Sequence, residues 1–393
     1  MADDQGAMVT GRTERHTMKF PFLQIALAFT LIVSAISSMA SISAQAAQSD
    51  VPFTVESVAE GLDHPWSIAF LPGGDMLVTE RAGRVRVIRD GQLLDAPIAN
   101  TPDAYVEGQG GYFDILPDPA FATNRLVYLS FAHGDANANT TRIVRAQLID
   151  NAFVNREVIF DTAPEKSTPV HYGGRLAFLP DATLLMTTGD GFDFREQAQR
   201  LETTLGKTIR INTDGSIPQD NPFVNQSGAN AAVWTYGHRS PQGLAIDPAT
   251  GTVWQNEHGP LGGDETNILR AGKNYGWPIA TRGIDYSGAR ISPFTTYPGM
   301  EDPVHFWTPS IAVSSLAVYR GSAFAEWDGD LLAGALAGRA LHRLTVENGK
   351  IVGEQKLLTD LDARIRDVRI GPDGLIYITT DDGAGKVIRL IPN

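Results

Sequence analysis

The sequence predicts an all-β protein: a six-bladed β-propeller with four-stranded blades and its site at the mouth of the central channel. Three observations carry this prediction. A hairpin pattern of apolar strand, proline-bearing turn and second apolar strand recurs along the chain. The 39 glycines and 23 prolines are enough to supply the turns of many short strands. Helical periodicity is nearly missing. Its best instance is DFREQAQRLETTLG (193–206), with Leu201 and Leu205 four apart, which predicts a helix inserted between strands.

The first element, residues 1–46, has the pattern of an export signal. MKFPFLQIALAFTLIVSAISSMASISAQA begins at Met18 with Lys19, runs through an apolar stretch and ends in Ala44-Gln45-Ala46. Arg12 and Arg15 add positive charge ahead of it, and Met18 is the better start. The alternative is a retained membrane anchor, but serines break the apolar run and a cleavage pattern follows it. A periplasmic or secreted protein is expected, soluble after cleavage, as a monomer or homodimer. There is no cysteine, so an exported chain must rely on its core. Residues 47–393 suffice to build one as a single domain.

The repeated units follow. They are SIAFLPGGDMLVTE around Pro72, FDILPDPAFATNRLVYLSF around Pro117, GRLAFLPDATLLMTTGD around Pro180, GLAIDPATGTVWQNE around Pro248 and DVRIGPDGLIYITTDD around Pro372. The prolines are 45, 63, 68 and 124 residues apart. The last interval is about double, and SLAVYRGSAFAEWDGDLLAGAL lies in its middle, which makes six units. One hairpin cannot bury its own face, whereas four-stranded units packed radially can, and a closed ring protects their edges. A β-sandwich is the alternative, but it has no need of six similar units.

The candidate functional residues open and close these units. Gln109 opens the second, His171 the third, Arg239 and Gln242 the fourth, and Arg364 and Arg366 the sixth. Asp190 closes the third. Positions alike in their blades converge at one mouth of a propeller, on loops held by a rigid scaffold. A histidine beside a carboxylate is suited to take a proton from an alcohol. Arginines opening two units suggest a ligand rich in carboxylates, matched by the forked guanidinium. Glu257, Asp264 and Glu265, set among glycines in NEHGPLGGDETN, offer oxygen ligands of the kind calcium takes.

Other classes are disfavoured. A formal net charge of -13 makes nucleic acid or an anionic membrane a poor partner. No G-x-G-x-x-G follows a strand, GAGKV (383–387) is not a phosphate loop, and H-E-x-x-H, G-x-S-x-G and a thiol nucleophile are absent.

Taken together, HYGGRL, GDG, LGKTIRINTDGSIPQDNPF, GHRSPQGLAIDP, EHGPLGGDE and NYGWP, in that order, resemble the soluble quinoprotein sugar dehydrogenases. The likeness covers roughly residues 52–392 and leans to the aldose dehydrogenase branch. It implies pyrroloquinoline quinone (PQQ) and Ca2+ in the central mouth, an aldose substrate and an external electron acceptor. By resemblance, His171 is the base, Asp190 supports it and Arg239 faces the reactive carbonyl of the quinone. Gln109 and Gln242 border cofactor and substrate, Asp264 lies beside the substrate, and Ser310, Arg364 and Arg366 hold the cofactor. Gly259 and Pro260 hold the active-site calcium through their carbonyls, and Glu265, Tyr275 and Tyr286 form a second calcium site. Three positions depart from the glucose enzymes: Ser240 replaces an asparagine, Ala337 a lysine and Val170 an acidic residue. A calcium-dependent lactonase and a non-catalytic binding propeller are the alternatives on the same architecture.

Overall fold

The computed structural model describes residues 51–393. The expected export signal, 1–46, lies outside the described residues. Twenty-four strands form six antiparallel sheets of four. The first strands of the blades are Pro65–Phe70, Tyr112–Pro117, Gly173–Phe178, Pro241–Ile246, Val313–Val318 and Ile365–Ile370. Each contacts the next, and the last contacts the first, so the sheets close into a ring around a channel.

The recurring proline turns join the first strand to the second in five blades; in the fifth, residues 319–330 make this connection without a proline. The second strands Met76–Glu80, Leu184–Thr188, Val253–Glu257, Leu331–Ala335 and Ile376–Thr380 are buried throughout. Neighbouring blades cover both their faces, so they are rich in apolar residues rather than strictly alternating. The core is therefore interblade. Tyr128 and Ile143 of the second blade pack with Leu176, Leu184, Met186, Ile209 and Ile211 of the third.

Two features escape the repeat pattern. The strand Phe53–Leu62 pairs antiparallel with Gly385–Pro392, from Phe53 opposite Pro392 to Leu62 opposite Gly385. The start of the described chain thus supplies the outer strand of the last blade and clasps the ring. The second feature is an ionic plug in the channel. Arg175 Nη1 lies 2.9 Å from Asp367 Oδ1 and 3.6 Å from Asp114 Oδ1. Arg369 bonds both carboxylates, at 2.9 Å and 2.6 Å. These groups come from three first strands, and Arg175, Asp114 and Asp367 are buried while Arg369 is half-buried at the edge of the cluster.

The helix expected over 193–206 is a single 3-10 stretch, Arg195–Gln199. The cause is Lys207. Its buried ammonium takes the carbonyls of Gln197 at 2.7 Å, Ala198 at 3.1 Å and Leu205 at 2.6 Å. Tertiary donors thus compete for the segment's carbonyls, with Ala198 O shared between Lys207 and the Gly237 N–H at 2.9 Å, and an α-helix is not propagated.

Candidate active site

His171 lies two residues before the first strand of the third blade, and Asp190 two residues after the second strand of that blade. The hairpin brings them together. Gly189 makes this possible, because a Cβ there would lie 2.0 Å from the His171 carbonyl oxygen. His171 Nδ1 is 2.7 Å from Asp190 Oδ1. Asp190 is fully buried and takes two further donors: Phe192 N at 2.8 Å on Oδ1 and Trp277 Nε1 at 2.7 Å on Oδ2. A carboxylate ringed by N–H groups is an acceptor only. His171 therefore carries its proton on Nδ1, and Nε2 is left with a free lone pair. Burial pushes the histidine's pKa down; the bond to Asp190 opposes this, while Arg239 and Lys166 add to it. The ring is thus held neutral at physiological pH.

Both His171 (φ 53°) and Phe192 (φ 67°) adopt left-handed backbone, rare for residues of this size. Such strain clusters at functional sites. The two rings meet edge to face, with centroids 5.2 Å apart.

These residues line a cavity of about 240 Å³ together with Asp193, Arg195, Arg239, Pro260, Trp277, Asp285, Tyr286 and Ile291. Arg239 enters from the opening of the fourth blade, just before Pro241–Ile246. Its Nη1 donates to the carbonyls of His258 at 3.1 Å and Gly259 at 2.9 Å, and its guanidinium lies 5.4 Å from the Trp277 ring centre.

A second cavity of about 190 Å³ adjoins the first. Gln109, which lines the second, links them: its Oε1 accepts the backbone N–H of His171, which lines the first, at 2.8 Å. Gln109, Gln242, Arg81, Arg364, Arg366 and His258 line this second cavity, with Trp66, Phe113 and Tyr172 as flat apolar walls. Arg364 and Arg366 share one carboxylate, Asp381, at 3.3 Å and 2.8 Å. With Arg81 alongside, positive charge is in excess. Asp381 is driven far below the usual carboxylate range by Arg366, His64 and Arg364, against its own burial. His258 Nε2 is sealed from solvent and has no partner.

The remaining candidates fall elsewhere. Asp264 lines neither cavity; it is fully buried and braces the fourth-blade loop by accepting Gly259 N at 2.8 Å and Val313 N at 3.2 Å. Ser310 donates to the Pro260 carbonyl at 3.1 Å. Glu265, Tyr275 and Gly259 border a separate small hollow with Glu257. Tyr286, grouped with Glu265 and Tyr275 on the sequence, stands apart from them on the loop that roofs the first cavity, stacked on Phe192. The cross-strand neighbours Glu257 and Glu265 are both carboxylates. Burial and Glu257 push Glu265 up to about 8, as expected where negative charge is crowded.

Sequence reasoning did not single out Trp66, Arg81, Lys166, Phe192 or Trp277. Trp277 lies in the quoted NYGWP, but its reach to Asp190, 87 residues away, has no local signal.

An aromatic-walled, arginine-rich channel mouth beside a histidine–aspartate pair on a six-bladed propeller has the chemistry to bind a polyanion next to a small polar molecule. The comparisons are specific. The family model for glucose/sorbosone dehydrogenases matches residues 62–389, and the chain belongs to that family. It is 41% identical over 344 residues to the aldose sugar dehydrogenase YliI of Escherichia coli (strain K12), covering 86% of this chain and 92% of that one. It is 25% identical over 419 residues to quinoprotein glucose dehydrogenase B of Acinetobacter calcoaceticus, covering 85% and 86%. The PQQ-bound structure of an aldose sugar dehydrogenase from Streptomyces coelicolor superposes with a TM-score of 0.71 at 28% identity, covering 87% of this chain and 98% of that one. The lean to the aldose branch stands.

Proposed function

We propose that this sugar dehydrogenase oxidises the C1 hydroxyl of an aldose to a lactone, with PQQ held in the second cavity and the sugar in the first. The observation that carries the reading is the pairing of a neutral, carboxylate-oriented histidine with an adjoining cavity that has arginines in excess of carboxylate. The donor set fits a planar tricarboxylate: Arg364, Arg366 and Arg81 for the acid groups, Trp66, Phe113 and Tyr172 for the ring faces, and Gln109, Gln242 and His258 for the polar edges. When bound, PQQ supplies a two-electron acceptor for the hydride from C1.

The chain's own residues do the rest. His171 Nε2 takes the proton of the C1 hydroxyl. Asp190 stabilises the imidazolium that results, and Trp277 and Phe192 N hold Asp190 in place. Arg239 stabilises negative charge that develops between the two cavities. We also propose calcium at the Gly259 and Pro260 carbonyls and beside Glu265 and Tyr275. The crowded carboxylates Glu257 and Glu265 support the second position. At the first, Arg239 and Ser310 already donate to the two carbonyls and would have to share them. Export by the 1–46 signal and electron transfer to an external acceptor complete the proposal.

The test adds PQQ and calcium to apo-protein and follows dye reduction with glucose, galactose and maltose. Turnover that requires PQQ is expected. Lactone hydrolysis without PQQ, or no uptake of PQQ, would overturn the reading.

A further inference from the structure

Two aromatic walls of the second cavity carry a buried cation from outside the cavity. The Arg175 guanidinium lies 4.1 Å from the Trp66 ring centre, and Lys166 Nζ lies 3.5 Å from that of Tyr172. The two cations differ in their counter-charge. Arg175 is matched by Asp367 and Asp114 in the channel plug. Lys166 is 2% exposed, yet no carboxylate lies within ion-pair distance of it among the described residues. Its ammonium donates to Asn139 Oδ1 at 2.9 Å and to the Thr168 carbonyl, and the Tyr172 ring is its remaining partner.

The placement is rigid. Asn139 Oδ1 also accepts the Tyr172 hydroxyl at 2.8 Å, so one amide oxygen ties cation and ring together. The lysine stem packs on the turn that carries Asp190: a Cβ at Gly191 would lie 2.7 Å from Lys166 Cδ. Burial lowers the ammonium's pKa to about 7 against the opposing pull of Asp190, so further negative charge nearby would favour its protonated form.

We propose that Lys166 is a positioning residue that tunes the quinone: its charge, reaching the second cavity through Tyr172, favours the electron-rich, two-electron-reduced form of the occupant. The inference rests on the PQQ reading above. In that couple the quinone gains two electrons and two protons, and the aldose yields them as the C1 hydride and the O1 proton on becoming the lactone.

The experiment loads wild type, Lys166→Met and Lys166→Arg with PQQ and calcium and measures the midpoint potential by mediated spectroelectrochemistry. We take the preference of this charge for the reduced form as about tenfold, below the full strength of a desolvated cation–π contact. Lys166→Met should therefore lower the potential by about 30 mV, the shift of a two-electron couple for a tenfold change. Lys166→Arg, which keeps the charge, should stay close to wild type. An unchanged potential in Lys166→Met, or an equal fall in both variants, would overturn the proposal, as would loss of PQQ uptake in both, since packing would then account for the effect. Failure of wild type to bind PQQ would instead remove the reading on which it rests.

Discussion

Replacing Asp190 by asparagine separates two jobs that this carboxylate could do. Its Oδ1 faces two donors, the His171 ring and Phe192 N, and its Oδ2 faces one, Trp277 Nε1. An asparagine must turn its NH2 toward one side. Toward His171 it would strand two buried donors; toward Trp277, only one. Each stranded donor costs about 1–3 kcal/mol, so the amide oxygen should stay on His171 and preserve the tautomer. What is lost is the charge that stabilises the imidazolium, about 1.5–3 kcal/mol for a charged hydrogen bond, or roughly 10- to 100-fold in kcat. The acid limb of kcat/KM should also move to lower pH, because His171 loses the interaction that raises its pKa against burial. Dye-linked aldose oxidation across pH, on a variant shown to be folded, measures both. A fall of about 10⁴ would signal a reversed tautomer and refute this orientation. No fall at all would remove Asp190 from the mechanism.

Other outcomes follow from the same geometry. His171→Ala should keep PQQ uptake and lose about 10²–10⁴ in rate, and equal activity would refute its role as base. Arg366→Gln should weaken PQQ binding by roughly 10- to 100-fold in a fluorescence titration, while kcat at saturation changes little. Arg175→Met leaves Asp114 and Asp367 with Arg369 as their remaining ion-pair partner among the described residues, so denaturant unfolding should reveal a loss of about 3–5 kcal/mol; a loss under about 1 kcal/mol would mean that the plug does not stabilise the ring. Asp247, held by Arg320 at 2.8 Å, is lowered to about 2. A depressed carboxylate stabilises above its unfolded pKa, and that contribution fades as pH falls from about 4 toward 2. Arg320→Met should lower stability at pH 7 and flatten the acid dependence in that window.

Much of the architecture was legible because each blade repeats one local problem. A first strand, a tight turn and a buried second strand need apolar runs separated by Pro, Gly or Asp, and those signals lie within about 15 residues of each other. The same logic located the channel mouth: His171, Gln109, Arg239, Gln242, Arg364 and Arg366 all open units, and all line one of the two adjoining cavities. The helix over 193–206 was misjudged because helical spacing is a local rule, whereas the carbonyls there are captured by Lys207.

The linear order of residues therefore determined the number of blades, the strands that would be buried and the loops that would carry chemistry. Only the tertiary structure decided how the ring closes, with Phe53–Leu62 laid on Gly385–Pro392. It alone brought Trp277 to Asp190, set Lys166 under Tyr172 and sealed the channel with Arg175, Asp114, Asp367 and Arg369. The reason is physical. Turns and apolar periodicity act over neighbouring residues, while these contacts join side chains from different blades and exist only once the backbone has been bent into a circle.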